Sequence, residues 1–234
     1  MNGIAMGRDE GTPQGCPLSP LLANVMLDEV DKELEWRGHS FVRYADDANV
    51  YVRSRRAGAR VMQLLRELYG QLRLTVNETK STIASVFQRK FLGYSFWVAP
   101  GGKIKRRVAT KSIATFKQRV RELTRRSGGY SLDEVVKRLR VYVLGWKAYF
   151  MLADTPGVWS DLDQWIRHRM RAIQLKHWKR AQTIYSELLA RKASPDVAAQ
   201  VAVNARRWWR NSGMLLNSVL TLAWADRLGI PRLC

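Results

Sequence analysis

Two hydrophobic periodicities divide the chain. Up to about residue 109, apolar residues form short alternating runs, such as residues 41–44 and 49–52, which predict β-strands. From Ser112 onward, apolar residues recur every three or four positions, which predicts amphipathic helices. The sequence therefore predicts an α+β fold, in which a mixed first part precedes a mainly helical second part.

Helix-start signals add detail to this division. Serines stand at the start of five helical patterns, and four of them lie either before proline or three residues before an acidic side chain, where they can cap a backbone N–H. We expect helices to begin at Ser19, Ser112, Ser131, Ser160 and Ser194. Gly38 is expected to end the first of these helices.

Positive charge is in large excess, because 40 Lys and Arg oppose 20 Asp and Glu, for a net charge of +20. An excess of this size favours a polyanionic partner, with nucleic acid as the first candidate and an anionic membrane as the second. No stretch approaches the roughly 20 apolar residues of a spanning helix, so we expect no membrane partner. A merely supercharged soluble surface is the plain alternative.

The excess charge is concentrated late in the chain. Residues 1–109 hold 17 basic and 11 acidic side chains, a net of +6, whereas residues 110–234 hold 23 and 9, a net of +14. Seven of the nine tryptophans also lie in the second part. The sequence therefore predicts a domain boundary between residues 109 and 110.

Cysteine and histidine are scarce. Cys16 and Cys234 are far apart, and three histidines add no metal-ligand spacing. A zinc finger and a disulfide framework are therefore not expected. The pattern fits a reducing compartment, and the bacterial cytoplasm is the expected location.

Two adjacent carboxylates, Asp46 and Asp47, stand between the predicted strands 41–44 and 49–52, which is a hairpin signal. A tight turn can bring both to one side, where their like charges repel unless a cation binds. Mg²⁺ prefers carboxylate oxygens together with substrate phosphates. The sequence therefore offers a Mg²⁺ site for phosphoryl chemistry, while an ordinary surface Asp-Asp turn is the alternative.

The neighbouring motifs resemble, in order, those of group II intron-encoded reverse transcriptases. A turn and a helix precede Tyr44-Ala-Asp-Asp47, and two palm motifs and a maturase domain follow it. Cys16 stands where many relatives have a second glycine, and Ala48-Asn49 where many have larger apolar residues. The matching segments are Gly11-Thr-Pro-Gln-Gly15, residues 17–24, 74–81 and 91–96, Gly145-Trp-Lys-Ala-Tyr-Phe150, residues 162–167 and 229–231.

The resemblance implies roles for individual residues. Two aspartates would bind Mg²⁺, a lysine would act at the triphosphate, a turn would contact nucleotide and template, and a second turn would grip the primer. In that order these residues are Asp46 and Asp47; Lys80; Gln14, Gly15, Tyr44 and Ala45; and Leu92, Gly93 and Tyr94.

The second part supplies candidate RNA-binding groups. Basic side chains can follow a phosphate backbone, and tryptophans can stack on unpaired bases, although core packing is the alternative for each tryptophan. The arginines are Arg119, Arg121, Arg125 and Arg126, and the tryptophans are Trp165, Trp178, Trp208 and Trp209.

The implied architecture is a partial right-hand polymerase palm with a primer-grip hairpin in residues 1–109, followed by a thumb and maturase domain in residues 110–234. The family places a further metal-binding aspartate and the fingers upstream of the residue 11–15 turn. The chain is therefore expected to be a C-terminal fragment whose partner would be an N-terminal fingers fragment.

Two functions follow from the resemblance. One is RNA-directed DNA synthesis with splicing of a group II intron, with intron RNA, primer–template nucleic acid, target DNA and dNTPs as partners. The other is a non-catalytic maturase that binds intron RNA as a splicing cofactor. A pseudogene product with neither activity is a third, weaker reading.

Overall fold

The structure is a computed structural model that describes residues 17–234. The chain divides into two compact units between Phe91 and Leu92, and helices predominate over small antiparallel β-structures. The predicted α+β class is therefore confirmed. Within the described residues, every helix is too short or too polar to cross a bilayer.

Unit 1 is built around the apolar stripe of its first helix. Leu27, Val30 and Leu34 recur at helical spacing and are buried against the strand hairpin and the next helix. Gly38 follows the helix with a φ of 69°, as expected for a glycine that ends it. The elements are α1 (Ser19–Trp36), β1 (Ser40–Tyr44), β2 (Asp47–Tyr51), α2 (Arg55–Gln71) and β3 (Lys90–Phe91).

Unit 2 begins with an antiparallel strand pair and continues as a helical bundle. Tyr94 lies opposite Val108, and the register runs to Val98 opposite Ile104 at the far end. The elements are β4 (Tyr94–Val98), β5 (Ile104–Val108), α3 (Thr110–Leu123), α4 (Leu132–Tyr149), α5 (Pro156–Trp178), α6 (Ala181–Ala190), α7 (Pro195–Val203), α8 (Trp208–Gly213) and α9 (Leu222–Arg227).

Helix α5 lies at the centre of unit 2. It buries residues on several sides, including Leu162, Ile166, Met170 and Ile173, which is typical of a helix surrounded by other elements. A short aromatic series adjoins it, since the ring of Trp159 lies 5.4 Å from that of Trp146 between their centroids. The bundle therefore packs around one long helix.

One acidic and one basic side chain of α5 are also buried, and both bind the chain from α8 onward. Asp163 accepts hydrogen bonds from the backbone N–H of Leu233, at 2.9 and 3.1 Å, and from that of Cys234, at 3.2 Å. Arg171 donates to the carbonyl oxygens of Leu220 and Ser212, at 2.9 and 3.0 Å. The C-terminal segment is thus attached to α5 at two places.

Two of the predicted helix starts are confirmed by their caps. Ser131 accepts a hydrogen bond from the N–H of Glu134 at 3.2 Å, and Ser194 accepts one from Val197 at 3.3 Å. The serine oxygen in each case satisfies an N–H that the first helical turn leaves without a partner.

Three predicted starts are displaced. Ser19 is the first residue of α1, so Leu18 occupies the capping position. Ser112 lies inside α3 and Ser160 inside α5, which begins at Pro156 because proline suits the first turn of a helix. The hydroxyl of Ser112 instead donates to a carbonyl oxygen in the turn before β4.

Candidate active site and nucleic-acid interface

The acidic pair lies at the tip of the β1–β2 hairpin. Tyr44 pairs with Asp47, so the connecting turn consists of Ala45 and Asp46 alone. The turn is two residues shorter than the four residues between the predicted strands 41–44 and 49–52, because Asp47 and Ala48 belong to β2. Both aspartates and Tyr44 are exposed, which leaves the two carboxylates open to a ligand from solvent.

The turn holds a non-glycine residue in the left-handed region. Ala45 has a φ of 53°, at the first position of a two-residue hairpin turn, where glycine is usual. A side chain in that region costs roughly 1–2 kcal/mol. Such strain persists only where surrounding contacts hold it, and it is frequent at functional sites.

Arg43 provides those contacts. Its Nη1 donates to the carbonyl oxygen of Ala45 at 3.1 Å and to Oδ1 of Asn24 at 2.9 Å. Its Nε lies 2.9 Å from both carboxylate oxygens of Asp31, and Nη2 lies 2.5 Å from Oδ2. The guanidinium therefore connects the strained turn to α1.

The Arg43–Asp31 pair is shielded from water. The two side chains are only 13% and 21% exposed, and hydrogen bonding to Asp31 raises the pKa of Arg43 above its ordinary value. Sequence reasoning missed this pair, although one signal was present. Asp31 lies four residues after Leu27 and three before Leu34, so a carboxylate interrupts the buried stripe of α1.

The acidic pair fits Mg²⁺ as an open site. Carboxylates supply the hard oxygens that Mg²⁺ prefers, and Mg²⁺ is usually held by one or two carboxylates with water and substrate phosphates. Between residues 17 and 234, no group of three or more acidic, histidine or cysteine side chains is placed to hold a metal. Asp46 and Asp47 therefore provide an incomplete ligand set that other oxygens must complete.

Lys80 lies in an exposed loop whose shape depends on Asn77. The Asn77 side-chain oxygen accepts from the hydroxyl of Thr79 at 2.7 Å and from the N–H of Lys80 at 3.2 Å. Glu78 binds Arg66 of α2 through two hydrogen bonds of 2.8 and 2.9 Å. These contacts fix the loop backbone and leave the Lys80 side chain exposed. Its action on a triphosphate stays a prediction.

A second tight turn lies at the sequence-predicted primer grip. Leu92 and Gly93 both have positive φ, 50° and 80°, as a two-residue turn of type I′ requires. The turn separates β3 from β4, so residues 91–98 do not form one continuous strand. A Cβ on Gly93 would lie 3.0 Å from Cζ of Phe150 and 3.0 Å from Oγ of Ser112. Packing within unit 2 thus accounts for this glycine, and a primer contact stays a prediction.

Tyrosine side chains attach the same turn to α4. The hydroxyl of Tyr94 donates to the carbonyl oxygen of Tyr149 at 2.6 Å, and the hydroxyl of Tyr149 donates to the carbonyl oxygen of Leu92 at 3.1 Å. The Tyr94 ring also contacts Phe150, with centroids 5.1 Å apart. Sequence reasoning missed this reciprocal pair, because the partners lie 55 and 57 residues apart.

The predicted RNA-binding arginines separate into two groups. Arg121, Arg125 and Arg126 line one cleft of unit 2, whereas Arg119 pairs with Glu122 on the exposed face of α3, with a 2.8 Å contact. The four tryptophans also differ. Trp178 is buried in the core, Trp165 and Trp208 are half-buried, and Trp209 remains 39% exposed. Gln14 and Gly15 lie outside the described residues.

Comparison with known families now decides the assignment. The family model for "Reverse transcriptase (RNA-dependent DNA polymerase)" matches residues 6–96, and that for "Group II intron, maturase-specific domain" matches residues 113–191. The chain belongs to the group II intron reverse transcriptase/maturase family. No curated protein matches it.

The candidate residues are divided between the two matched segments. The acidic hairpin and the Leu92–Gly93 turn lie in the reverse transcriptase match, and the arginines of α3 lie in the maturase match. Residues 97–112 lie between the matches, while the compact units divide earlier, after Phe91. The predicted domain boundary between residues 109 and 110 stays a prediction.

The Arg43 contacts predict a stability difference between two arginine variants. Arg43→Ala leaves Asp31 without its cation in a shielded position, so we expect a loss of ~1–3 kcal/mol in the free energy of unfolding. Arg66→Ala is the matched control, because its pair with Glu78 is exposed and worth about 0–1 kcal/mol. Urea denaturation followed by circular dichroism measures both, and equal losses would contradict the role given to Arg43.

The Leu92–Gly93 turn predicts a second difference in stability, between alanine variants at two glycines that both have positive φ. Gly101→Ala places its new methyl group in open space. It should therefore lower the free energy of unfolding only through strain of the left-handed backbone, by roughly 1–2 kcal/mol. Gly93→Ala also clashes with Phe150, which is buried, so it should lose about 1–3 kcal/mol more. The same denaturation experiment compares them. If Gly93→Ala were no worse than Gly101→Ala, the packing explanation would be wrong.

Proposed function

We propose that this chain contributes the acidic hairpin of a reverse transcriptase and a separate intron RNA-binding unit, and that it binds RNA without extending a primer by itself. Asp46 and Asp47 would hold Mg²⁺, which in this role activates the primer hydroxyl and stabilises the departing pyrophosphate. The observation that carries the proposal is an exposed acidic pair on a strained turn that Arg43 holds in place.

The incomplete ligand set supports the second half of the proposal. Two carboxylates bind Mg²⁺ weakly without further oxygens, and the family resemblance assigns a third aspartate to a palm strand upstream of the hairpin. Primer extension would then require a further carboxylate beside Asp46 and Asp47. In the complete site Lys80 would approach the triphosphate, Gln14, Gly15, Tyr44 and Ala45 the nucleotide and template, and Leu92, Gly93 and Tyr94 the primer.

The charge of unit 2 supports the RNA-binding half. Residues 110–234 carry a net charge of +14, and three of the predicted arginines line a single cleft. Lys and Arg contacts to phosphates release counterions and dominate nucleic-acid affinity. The same observation favours the second candidate function, that of a non-catalytic maturase acting as a splicing cofactor.

The catalytic half predicts the behaviour of the acidic pair in primer extension. We expect no extension on an RNA template by the full chain alone with Mg²⁺, and extension when a fingers and palm fragment of the family is added. Asp46→Ala or Asp47→Ala should then reduce the rate by more than about 100-fold, since even groups that only support a metal ligand are worth about 10–100-fold.

Asp28→Ala is the control for this experiment, because Asp28 is exposed on α1 and, within residues 17–234, its salt bridge is a surface pair with Lys32. Extension by the full chain alone, abolished by Asp46→Ala, would show that the ligand set is complete after all. Activity that survives in both hairpin variants would remove Asp46 and Asp47 from the mechanism.

The RNA-binding half predicts both affinity and preference. The full chain should bind RNA with an affinity that falls steeply with salt, with a log–log slope near −0.9 per phosphate contact on a duplex. At moderate salt its own intron RNA should bind more tightly than an unrelated RNA of equal length, because shape and unpaired bases carry RNA specificity. Competition titrations at two salt concentrations test this. Equal affinities at both would leave only a non-specific basic surface.

A further inference from the structure

A cleft of unit 2 collects positive charge without an acidic partner. It has a volume of about 320 Å³ and lies among α3, the segment after it, α5 and α8. Within the described residues, no ion pair joins any of its five cationic side chains to a carboxylate. These side chains are Arg121, Arg125, Arg126, Arg169 and Lys176.

Neutral oxygens hold two of these cations at the wall. Arg169 donates from Nε to the hydroxyl of Thr124 at 2.6 Å and from Nη2 to the Thr124 carbonyl oxygen at 3.1 Å. Arg126 donates from Nε to the carbonyl oxygen of Ala172 at 3.2 Å. Arg125 and Lys176 are exposed. The cleft therefore combines two hydrogen-bonded guanidinium groups with three exposed cationic side chains, those of Arg121, Arg125 and Lys176.

The electrostatics of this arrangement favour an anionic ligand. Burial lowers the pKa of both Arg126 and Arg169, and the charge of Arg121 lowers that of Arg169 further. Like charges in a shielded cleft repel, and no carboxylate among residues 17–234 offsets them there. A bound phosphate would remove the repulsion and would accept several charge-assisted hydrogen bonds from the arginines.

Two tryptophans form the aromatic wall of the same cleft. The guanidinium carbon of Arg126 lies 3.9 Å from the ring centre of Trp208, which fixes that indole by a cation–π contact. Trp209 stacks on His168, with centroids 3.7 Å apart, yet stays 39% exposed. Trp209 is therefore a rigid ring with open surface, next to the cations.

We propose that this cleft binds one unpaired nucleotide of RNA, with its phosphate at the cationic side chains and its base stacked on the exposed surface of Trp209. The inference rests on the proposed RNA-binding function of this unit and goes beyond it, since it names the site and the state of the ligand. A base paired within a duplex has no free face for the indole, so the nucleotide must be bulged or single-stranded. The cleft volume is near the lower end of the range for small-ligand sites, about 300–1,000 Å³.

The probe is an RNA hairpin with one bulged adenosine. A second hairpin carries an abasic nucleotide at the bulge, so that the phosphates are unchanged and only the base is removed. Fluorescence anisotropy with the full chain measures both affinities at several salt concentrations. We expect the adenosine hairpin to bind between roughly 5-fold and 150-fold more tightly, which corresponds to ~1–3 kcal/mol of base stacking.

Three variants separate the base from the phosphate. Trp209→Ala should bring the affinity ratio of the two hairpins to about 1, whereas Trp209→Phe should retain most of it, because a phenyl ring still stacks. Arg125→Ala combined with Lys176→Ala should weaken both hairpins equally and reduce the salt slope, because phosphate contacts do not depend on the base. Trp36→Ala removes an indole that is 80% exposed in unit 1 and should change nothing.

The outcomes distinguish this inference from the proposed function. Equal affinity of the wild-type chain for the two hairpins, or an adenosine preference that survives Trp209→Ala, would overturn the nucleotide site while leaving general RNA binding intact. Absence of binding to either hairpin at low salt would overturn the RNA-binding function itself. Circular dichroism of each variant confirms that the helices remain folded, and the wild-type comparison of the two hairpins keeps the proposal falsifiable if Trp209→Ala does not fold.

Discussion

The arrangement of unit 2 depends on one acidic and one basic side chain that α5 carries into the core. Asp163 and Arg171 are 2% and 5% exposed, and an unsatisfied charge in such a place would cost several kcal/mol. Both are satisfied by polar groups of α8 and of the chain that follows it, which therefore pack against α5. Burial lowers the pKa of Arg171 to about 10, so it remains a cation at neutral pH and keeps these hydrogen bonds.

The proposed nucleotide site follows from the same constraint. Arg171 binds the carbonyl oxygen of Ser212, which lies in α8. The hydroxyl of Ser212 in turn donates to the carbonyl oxygen of Trp209 at 2.9 Å. A Cβ on Gly213 would lie 2.9 Å from the His168 ring, so close approach of α8 to α5 requires glycine there. The position of Trp209 is thus set by the helix that also supplies Arg169 to the cleft.

Unit 1 also contains an arginine that fixes a backbone segment by hydrogen bonding. Arg43 is shielded, carries a full charge, and divides its donors between a carboxylate and the carbonyl oxygen of Ala45. In both units an arginine fixes a backbone segment that local propensity would not hold, since Ala45 is strained and α8 has only six residues. Hydrogen bonds to charged groups are stronger than neutral ones, roughly 1.5–3 kcal/mol each, which makes arginine suitable for this purpose.

The sequence by itself determined the α+β class, the β1–β2 hairpin with Asp46 and Asp47 at its tip, and the helix starts at Ser131 and Ser194. These features depend on periodicity, capping and turn chemistry, which act over a few residues. The motif series also indicated the family, and the segments matching both family models confirmed it.

Only the tertiary structure decided which side chains meet. Arg43 and Asp31 are 12 residues apart, Tyr94 and Tyr149 interact across 55, and the cleft joins Arg121 to Trp209. It also separated Arg119 from the other predicted arginines, although all four lie close together in sequence. Periodicity fixes which face of a helix is buried, but the partner of that face depends on how the helices pack, and no local pattern encodes this.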